Sequence, residues 1–219
     1  MALNKLKFNS LNVTPTAGKT IGFNSSANGL EATLSGGAMT FIKKLTASSS
    51  GTLSFVDGSS DVVLDNTYKE YIFYFNNIHP STDNADFTFN MSTDAGSNYN
   101  VTKTTTVATA QHSEAGSDSG FFYVTADALA QSTNFQIILG PIGNDNDQSA
   151  SGSLHLFNPS STTFVKHFIA MGNSYYSGNY SLNDYVAGYG NTTSAVDAVQ
   201  FKMSSGNIDS GTITLYGIN

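Results

Sequence analysis

The sequence predicts an all-β protein, an antiparallel β-sandwich of jelly-roll type preceded by an extended N-terminal arm. Apolar and polar residues alternate with a period of two in many short segments, which is the pattern of half-buried strands. Clusters of Gly, Asn, Asp, Ser and Pro separate these segments and favour turns. Residues 127–131 are the one stretch with a helix-like pattern. Roughly eight to ten short strands with so little helix indicate two packed sheets.

The clearest strand pattern lies in residues 68–100. Aromatic residues occupy alternate positions in 71–75 and again in 87–91, and turn-forming residues at 79–84 separate the two runs. We therefore predict that the two runs form an antiparallel pair. The first run is apolar on both faces, so we expect it near the middle of a packed sheet.

Further strands are predicted along the rest of the chain. The segment 164–170 carries apolar residues on both faces, and we expect it to be buried on both. The other predicted strands lie near 53–55, 99–110, 121–124, 135–142, 154–156, 199–203 and 213–217.

The chain divides into two predicted parts. Residues 1–43 show no sustained pattern and are interpreted as an arm that attaches the protein to a partner, and residues 44–219 form the sandwich. The alternative is that the N-terminal residues add edge strands to the same domain or form a frayed terminus.

The composition argues against several classes of partner. The formal charge is −7, and all nine cationic residues are lysines. Because arginine supplies the bidentate contacts to phosphates and bases, an acidic chain without it is a poor nucleic-acid binder. It contains no cysteine, no apolar run of about 18 residues that would insert in a membrane, and no secretory signal pattern. We expect a protein made in a cytoplasm that works in soluble or assembled form.

No motif predicts catalysis or a cofactor. The four histidines are scattered, and the chain lacks a nucleophile elbow and both glycine-rich phosphate-binding patterns. The run 144–147 holds Asp145 and Asp147 among oxygen-bearing neighbours, which makes them candidate ligands for a hard cation. Turn formation explains the same composition. We therefore predict a protein that is not an enzyme.

A tyrosine-rich segment is the candidate recognition surface. Its tyrosines are interleaved with Gly, Asn and Ser, a combination that provides rigid contact area and adaptable hydrogen bonding. Their rings could stack on sugars; alternatively they pack along strands or in a subunit contact. The candidate binding residues are Tyr175, Tyr176, Tyr180, Tyr185 and Tyr189.

Three stretches, residues 68–100, 142–170 and 195–219, together resemble virion structural proteins of marine tailed bacteriophages, a group that includes tail-fibre proteins. The resemblance covers about residues 45–219, and the C-terminal segment ending in Tyr216-Gly217-Ile218-Asn219 is its most specific part. It implies a place in the virion and supplies no catalytic residues.

The leading hypothesis is a tail-fibre or receptor-binding component. Its N-terminal arm would bind other virion proteins, and its sandwich would meet a host glycan or other receptor. Because fibres are built around symmetry axes, a homo-oligomer such as a trimer is expected. The alternatives are a capsid decoration protein and, from a different class, a carbohydrate-active enzyme acting on host surface polymers.

Overall fold

The computed structural model describes residues 20–23, 30–33 and 38–218 of the 219-residue chain. Every regular element in these residues is a strand, which confirms the predicted all-β class. In the described part of the chain, accordingly, there is no helix that could cross a membrane. The strands are β1 (Thr20–Phe23), β2 (Leu30–Thr33), β3 (Met39–Thr46), β4 (Leu53–Val56), β5 (Glu70–Pro80), β6 (Ala85–Ser92), β7 (Lys103–Ser113), β8 (Ser119–Tyr123), β9 (Gln136–Ile142), β10 (Ala150–Phe157), β11 (Lys166–Tyr176), β12 (Tyr180–Gly190), β13 (Ala198–Met203) and β14 (Ile208–Ile218).

Strands β1 and β2 form a separate unit. They pair antiparallel to each other, with Phe23 opposite Leu30. The chain divides between Ala38 and Met39, and the second unit contains β3 to β14. The predicted boundary between arm and sandwich at residues 43 and 44 therefore falls inside β3. The rest of the predicted arm, residues 1–19, 24–29 and 34–37, lies outside the described residues.

The second unit is a sandwich of two antiparallel sheets, as predicted. The larger sheet has eight strands in the order β3-β14-β5-β10-β11-β12-β7-β8. The smaller sheet has four strands in the order β4-β13-β6-β9. Strand β5 lies inside the larger sheet between β14 and β10, as its apolar faces indicated.

The predicted antiparallel pair within residues 68–100 is wrong. Strand β5 belongs to the larger sheet and β6 to the smaller one, so the turn after Pro80 carries the chain from one sheet to the other. Both strands direct their phenylalanines into the space between the sheets, where they meet as packing neighbours: the Phe75 and Phe87 rings lie 5.2 Å apart. Two strands that alternate with the same period are compatible with either arrangement, and the burial of both aromatic rows favours facing sheets.

A cluster of phenylalanines forms the centre of the core. Phe201 on β13 contacts Phe73 and Phe75 on β5, with centroid distances of 5.3 Å in both cases. It also stacks on Phe87 of its own sheet at 5.6 Å. All four side chains are almost completely buried. Since aromatic pairs in such geometries add to the hydrophobic gain of burial, this cluster holds the two sheets together.

Two further predictions are corrected. Strand β11 is buried on one face only: Phe168 and Ala170 point inward, whereas Ile169 is 51% exposed. Phe164 precedes the strand and is also exposed. Residues 127–131 do not form a helix; the chain turns at 125–127, where the Asp127 amide donates to the Val124 carbonyl. The apolar pattern alone does not separate a buried face from an exposed apolar one.

Replacing Phe201 tests the role of the aromatic cluster. Phe201→Ala removes a fully buried ring between the sheets, and we expect the free energy of unfolding to fall by about 3–5 kcal/mol. Phe164→Ala, at a ring that is 69% exposed, should change it by less than about 0.5 kcal/mol. Urea denaturation of the two variants and the wild type measures both values. Equal losses in the two variants would contradict this account of the core.

Candidate functional site

The five predicted binding tyrosines do not form one cluster. The β11–β12 hairpin carries all of them, and its strands alternate side chains between the two faces of the larger sheet. Tyr175, Tyr185 and Tyr189 lie on the outer face, away from the smaller sheet, as the register through β12 shows. Tyr176 and Tyr180 lie opposite each other on the other face at the hairpin end, with ring centroids 6.0 Å apart.

A polar cleft lies at the tip of this hairpin. Its volume is about 310 Å³. Tyr175 and Tyr180 contribute to it, and Tyr185 and Tyr189 do not. The lining residues are His112, Ser113, Glu114, Asn173, Ser174, Tyr175, Tyr180 and Ser181.

The strand register explains why these residues meet. Tyr175 lies opposite Ser181 in the β11–β12 hairpin, and Ser181 lies opposite His112 of β7. One row across three strands therefore presents a phenol, a hydroxyl and an imidazole to solvent on the same face. Asn173 lies next to this row and donates to the Ser181 hydroxyl at 2.8 Å. Sequence reasoning missed the contributions of His112, Glu114 and Asn173, because they depend on which strands pair.

Hydrogen bonds and charge organise the cleft. A hydrogen bond with the Glu114 carboxylate raises the pKa of the Tyr175 hydroxyl. The Tyr180 hydroxyl donates to Asp118 Oδ2 at 3.2 Å, and Ser177 in the turn donates to Asn84 Oδ1 at 2.5 Å. Glu114 is the one charged residue among those that line the cleft. An aromatic face beside hydroxyl, amide, imidazole and carboxylate groups is suited to a ligand with many hydroxyl groups, because each hydroxyl can both donate and accept.

The run Asn144–Asp147 forms a turn. The Gln148 amide donates to the Asp145 carbonyl at 2.9 Å, and the Gln148 side chain accepts from the Asp145 amide at 3.1 Å. The Asp145 and Asp147 side chains lie in an exposed segment. Among the residues that the structure describes, no three His, Cys, Asp or Glu side chains are grouped so that they could hold a metal ion. The backbone pattern agrees with the interpretation of these residues as turn formers.

A second group of titratable residues was not predicted from the sequence. Asp184 is 4% exposed on the inner face of β12. It accepts from Thr109 Oγ1 at 2.6 Å and from the Gly140 amide at 2.9 Å. Burial raises the pKa of Asp184, and also that of Asp86, to about 6, with the Asp127 charge adding to both effects. The signal in the sequence was the position of Asp184 between Leu182 and Val186 on the buried face of an alternating strand.

Two lysines are completely buried. Lys103 Nζ donates to Asn90 Oδ1 at 2.5 Å and to the Val101 carbonyl at 2.8 Å. Lys166 Nζ donates to the carbonyls of Phe164 and Thr192 at 2.7 and 3.2 Å. Burial lowers the pKa of Lys103 to about 7. The carbonyls of Val101, Phe164 and Thr192 lie in loops, so these hydrogen bonds tie the loops to the larger sheet. Asn90 lies on β6, so its hydrogen bond with Lys103 joins the two sheets.

Comparison with models of protein families, with curated proteins and with solved structures finds no match for this chain.

The buried carboxyl groups predict the pH dependence of stability. The folded chain retains protons on Asp86 and Asp184 up to about pH 6, whereas unfolded aspartates release them near pH 4. The folded state thus binds more protons in this interval, so the free energy of unfolding should fall as pH rises from 4.5 to 7. Two pKa units correspond to at most about 2.7 kcal/mol for each group.

Chemical denaturation of the wild type and of Asp184→Asn at several pH values measures this effect. The variant should lose the Asp184 part of the slope, because asparagine does not titrate. A wild-type stability that rises between pH 4.5 and 7, or an identical slope in the variant, would contradict the assignment.

Proposed function

We infer that the sandwich is a jelly roll. Setting aside the inserted strands β7, β8, β11 and β12 leaves eight strands in the two sheets. In chain order, the first of these pairs with the eighth (β3 with β14), the second with the seventh (β4 with β13), the third with the sixth (β5 with β10) and the fourth with the fifth (β6 with β9). Such pairing is expected when one long antiparallel ribbon is wrapped into two sheets, as in the double Greek key of a jelly roll.

We propose that this jelly roll is a structural protein of a bacteriophage virion, and most specifically a tail-fibre or receptor-binding component. The strand order is the observation that carries the proposal, because jelly rolls are characteristic of viral coat and lectin domains. The resemblance of residues 45–219 to phage virion proteins supports it. A fold alone does not define a function, so the recognition role rests on the cleft and not on the strand order. An N-terminal arm would attach the protein to other virion proteins, and the particle would be assembled in the host cytoplasm.

We propose that the hairpin tip makes the receptor contact. The cleft between the ends of β7, β11 and β12 combines the Tyr175 ring with polar groups of His112, Glu114 and Asn173. This combination supports a neutral host-surface glycan as the ligand, because the cleft offers no cationic anchor for phosphate or sulfate. The turn at residues 177–179 forms the end of the hairpin, since it joins two strands of eleven residues each.

A decoration protein of the capsid is the first alternative, and imaging decides between the two. Labelling of purified virions with antibodies against this protein should mark the tail in electron micrographs. Antibody bound over the whole head would instead support the decoration role and exclude the fibre.

A carbohydrate-active enzyme is the second alternative, and the group of Asp86, Asp127 and Asp184 is the observation that favours it. Glycoside hydrolysis needs two carboxyl groups, one of which has a raised pKa. Asp127 lines a cleft of about 410 Å³ beside Gly140 and Pro141. Purified protein that shortens host polysaccharide, with loss of this activity in Asp184→Asn, would establish the enzyme and overturn the binding proposal.

Alanine substitutions at the tip test the receptor contact. Tyr175→Ala removes the ring from the cleft, and we expect at least a tenfold loss in adsorption of the particle to host cells, which corresponds to about 1.4 kcal/mol. Tyr180→Ala should also weaken adsorption, since its hydroxyl holds Asp118 beside the cleft.

Tyr189→Ala is the matched control, because Tyr189 lies on the same face as Tyr175 but at the opposite end of the hairpin. Virion assembly should be unchanged in all three variants. Unchanged adsorption of Tyr175→Ala, or a loss confined to Tyr189→Ala, would overturn the placement of the receptor site at the tip.

A further inference from the structure

The outer face of the larger sheet is unusually apolar. Within residues 39–218, ten large hydrophobic side chains are exposed, and eight of them lie on this face. The strand register places them in one band that extends from β3 at one edge to β8 at the other. We name this surface the outer apolar face; its exposed members are Met39, Phe41, Tyr74, Phe121, Tyr123, Ile169, Met171 and Tyr185.

Contacts join the members of the band on each side of the sheet. Tyr216 lies between Phe41 and Tyr74, with centroid distances of 5.9 Å to each. At the other side of the sheet, Tyr185 is opposite Met171 of β11 and 6.2 Å from the Phe121 ring. A shallow cavity of about 310 Å³ is lined by apolar side chains together with Ser153 and His155 of the middle strand β10; the apolar ones that are exposed are Tyr123, Ile169, Met171 and Tyr185. Exposed apolar surface that is contiguous over several strands marks an interaction site in soluble proteins.

The outer apolar face carries almost no charge. Along the regular parts of its eight strands, the charged side chains directed to this face are Lys44 and Glu70. Glu70 is already paired with His155, whose Nδ1 lies 2.6 Å from Glu70 Oε1. The whole chain, in contrast, has a formal charge of −7. Depletion of charge together with exposed aromatic residues and methionine is the composition of the centre of a protein interface.

The dimensions of the face match those of a stable interface between two proteins. Eight strands spaced about 4.8 Å apart give a width of about 34 Å, and the six residue steps from His167 to Asn173 on β11 give a height of about 20 Å. The projected area is therefore about 700 Å², close to the roughly 800 Å² that each partner buries in a standard complex.

We propose that the outer apolar face binds a second copy of this chain. Two copies of an acidic protein repel each other, and this face lets them approach with little carboxylate repulsion, because its carboxylate, Glu70, is paired with His155. Its area is sufficient for the contact, and its apolar side chains supply the driving force. The proposal deepens the oligomer expected under the proposed function by naming the surface that forms it. It also assigns Tyr185 to the subunit contact rather than to the receptor site.

The oligomeric state of the full chain in solution tests this inference. Light scattering coupled to size-exclusion chromatography should give at least twice the 23.2 kDa mass of the monomer. Met171→Glu and Phe121→Glu place a carboxylate in the band, and each should shift the mass toward that of the monomer. Phe122→Glu is the matched control: Phe122 is also exposed and adjacent to Phe121, but it points to the other face of β8. It should leave the oligomer intact.

Cysteine cross-linking keeps the test informative if the charged variants fail to fold. The chain contains no cysteine, so a single introduced thiol reports one position. Ser153→Cys and Met171→Cys lie opposite each other on the two central strands of the face, and a short bismaleimide should join copies through either thiol. Phe122→Cys should give no cross-linked product.

Three results would overturn the inference. They are a monomeric wild type at concentrations up to 100-fold above those of the assay, an oligomer that survives both glutamate variants, and cross-linking only through residue 122. Because these measurements need neither virions nor host cells, they can fail while the receptor contact at the tip holds, and the reverse is equally possible.

Discussion

The packing of Phe201 against phenylalanines of both sheets is the contact on which the rest of the structure depends. Its ring approaches Phe73 and Phe75 on the larger sheet and stacks on Phe87 of the smaller one. The sheets have no covalent cross-link, since the chain lacks cysteine, and few ion pairs are present in the described residues. The relative position of the two sheets therefore rests on aromatic shape complementarity in the core.

The sheets differ in width, and this difference decides where function can lie. The four strands of the smaller sheet cannot cover eight, and its edge strand β9 is the one that lies against the inner side of β11 and β12. Gly172 permits this approach: a Cβ there would lie 2.5 Å from the Leu139 side chain of β9. Polar groups such as Asp184 and Lys103 complete the inner side through hydrogen bonds. The β7–β8 and β11–β12 hairpins thus broaden the sheet, form the polar tip and carry five of the eight exposed members of the outer apolar face.

The sequence predicted individual strands well and their partners poorly. Alternation with period two is a local property, so it located β5, β6, β10, β13 and β14. Pairing is decided by contacts between distant residues, and residues 71–75 and 87–91 have the same pattern whether they share a sheet or face each other across the core. The exposure of Ile169 was missed for a related reason: an apolar residue on an exposed face gives the same sequence pattern as one on a buried face.

The tyrosine segment shows what the alternation of side chains between the two faces of a strand can and cannot predict. Tyr175 and Tyr176 are adjacent and must point to opposite faces of a strand, and the turn residues Ser177-Gly178-Asn179 between two tyrosine-bearing runs are visible in the sequence. The split of the five tyrosines could therefore have been predicted. The residues that surround these tyrosines could not have been predicted, because His112 and Asp118 reach them from β7 and the loop that follows it, about 60 residues earlier in the chain.

The β11–β12 hairpin connects the two proposed surfaces physically. Its middle residues belong to the outer apolar face, and its end forms the polar cleft. The proposed contact between copies through the middle of the hairpin would fix the position of every tip relative to the others, since both strands run without interruption from one surface to the other. Under the proposed function, glycan contacts at single clefts would be small, and their combined strength would depend on how many tips can bind at once. Under these two proposals, the apolar face would raise the affinity of the particle for its host without touching the receptor.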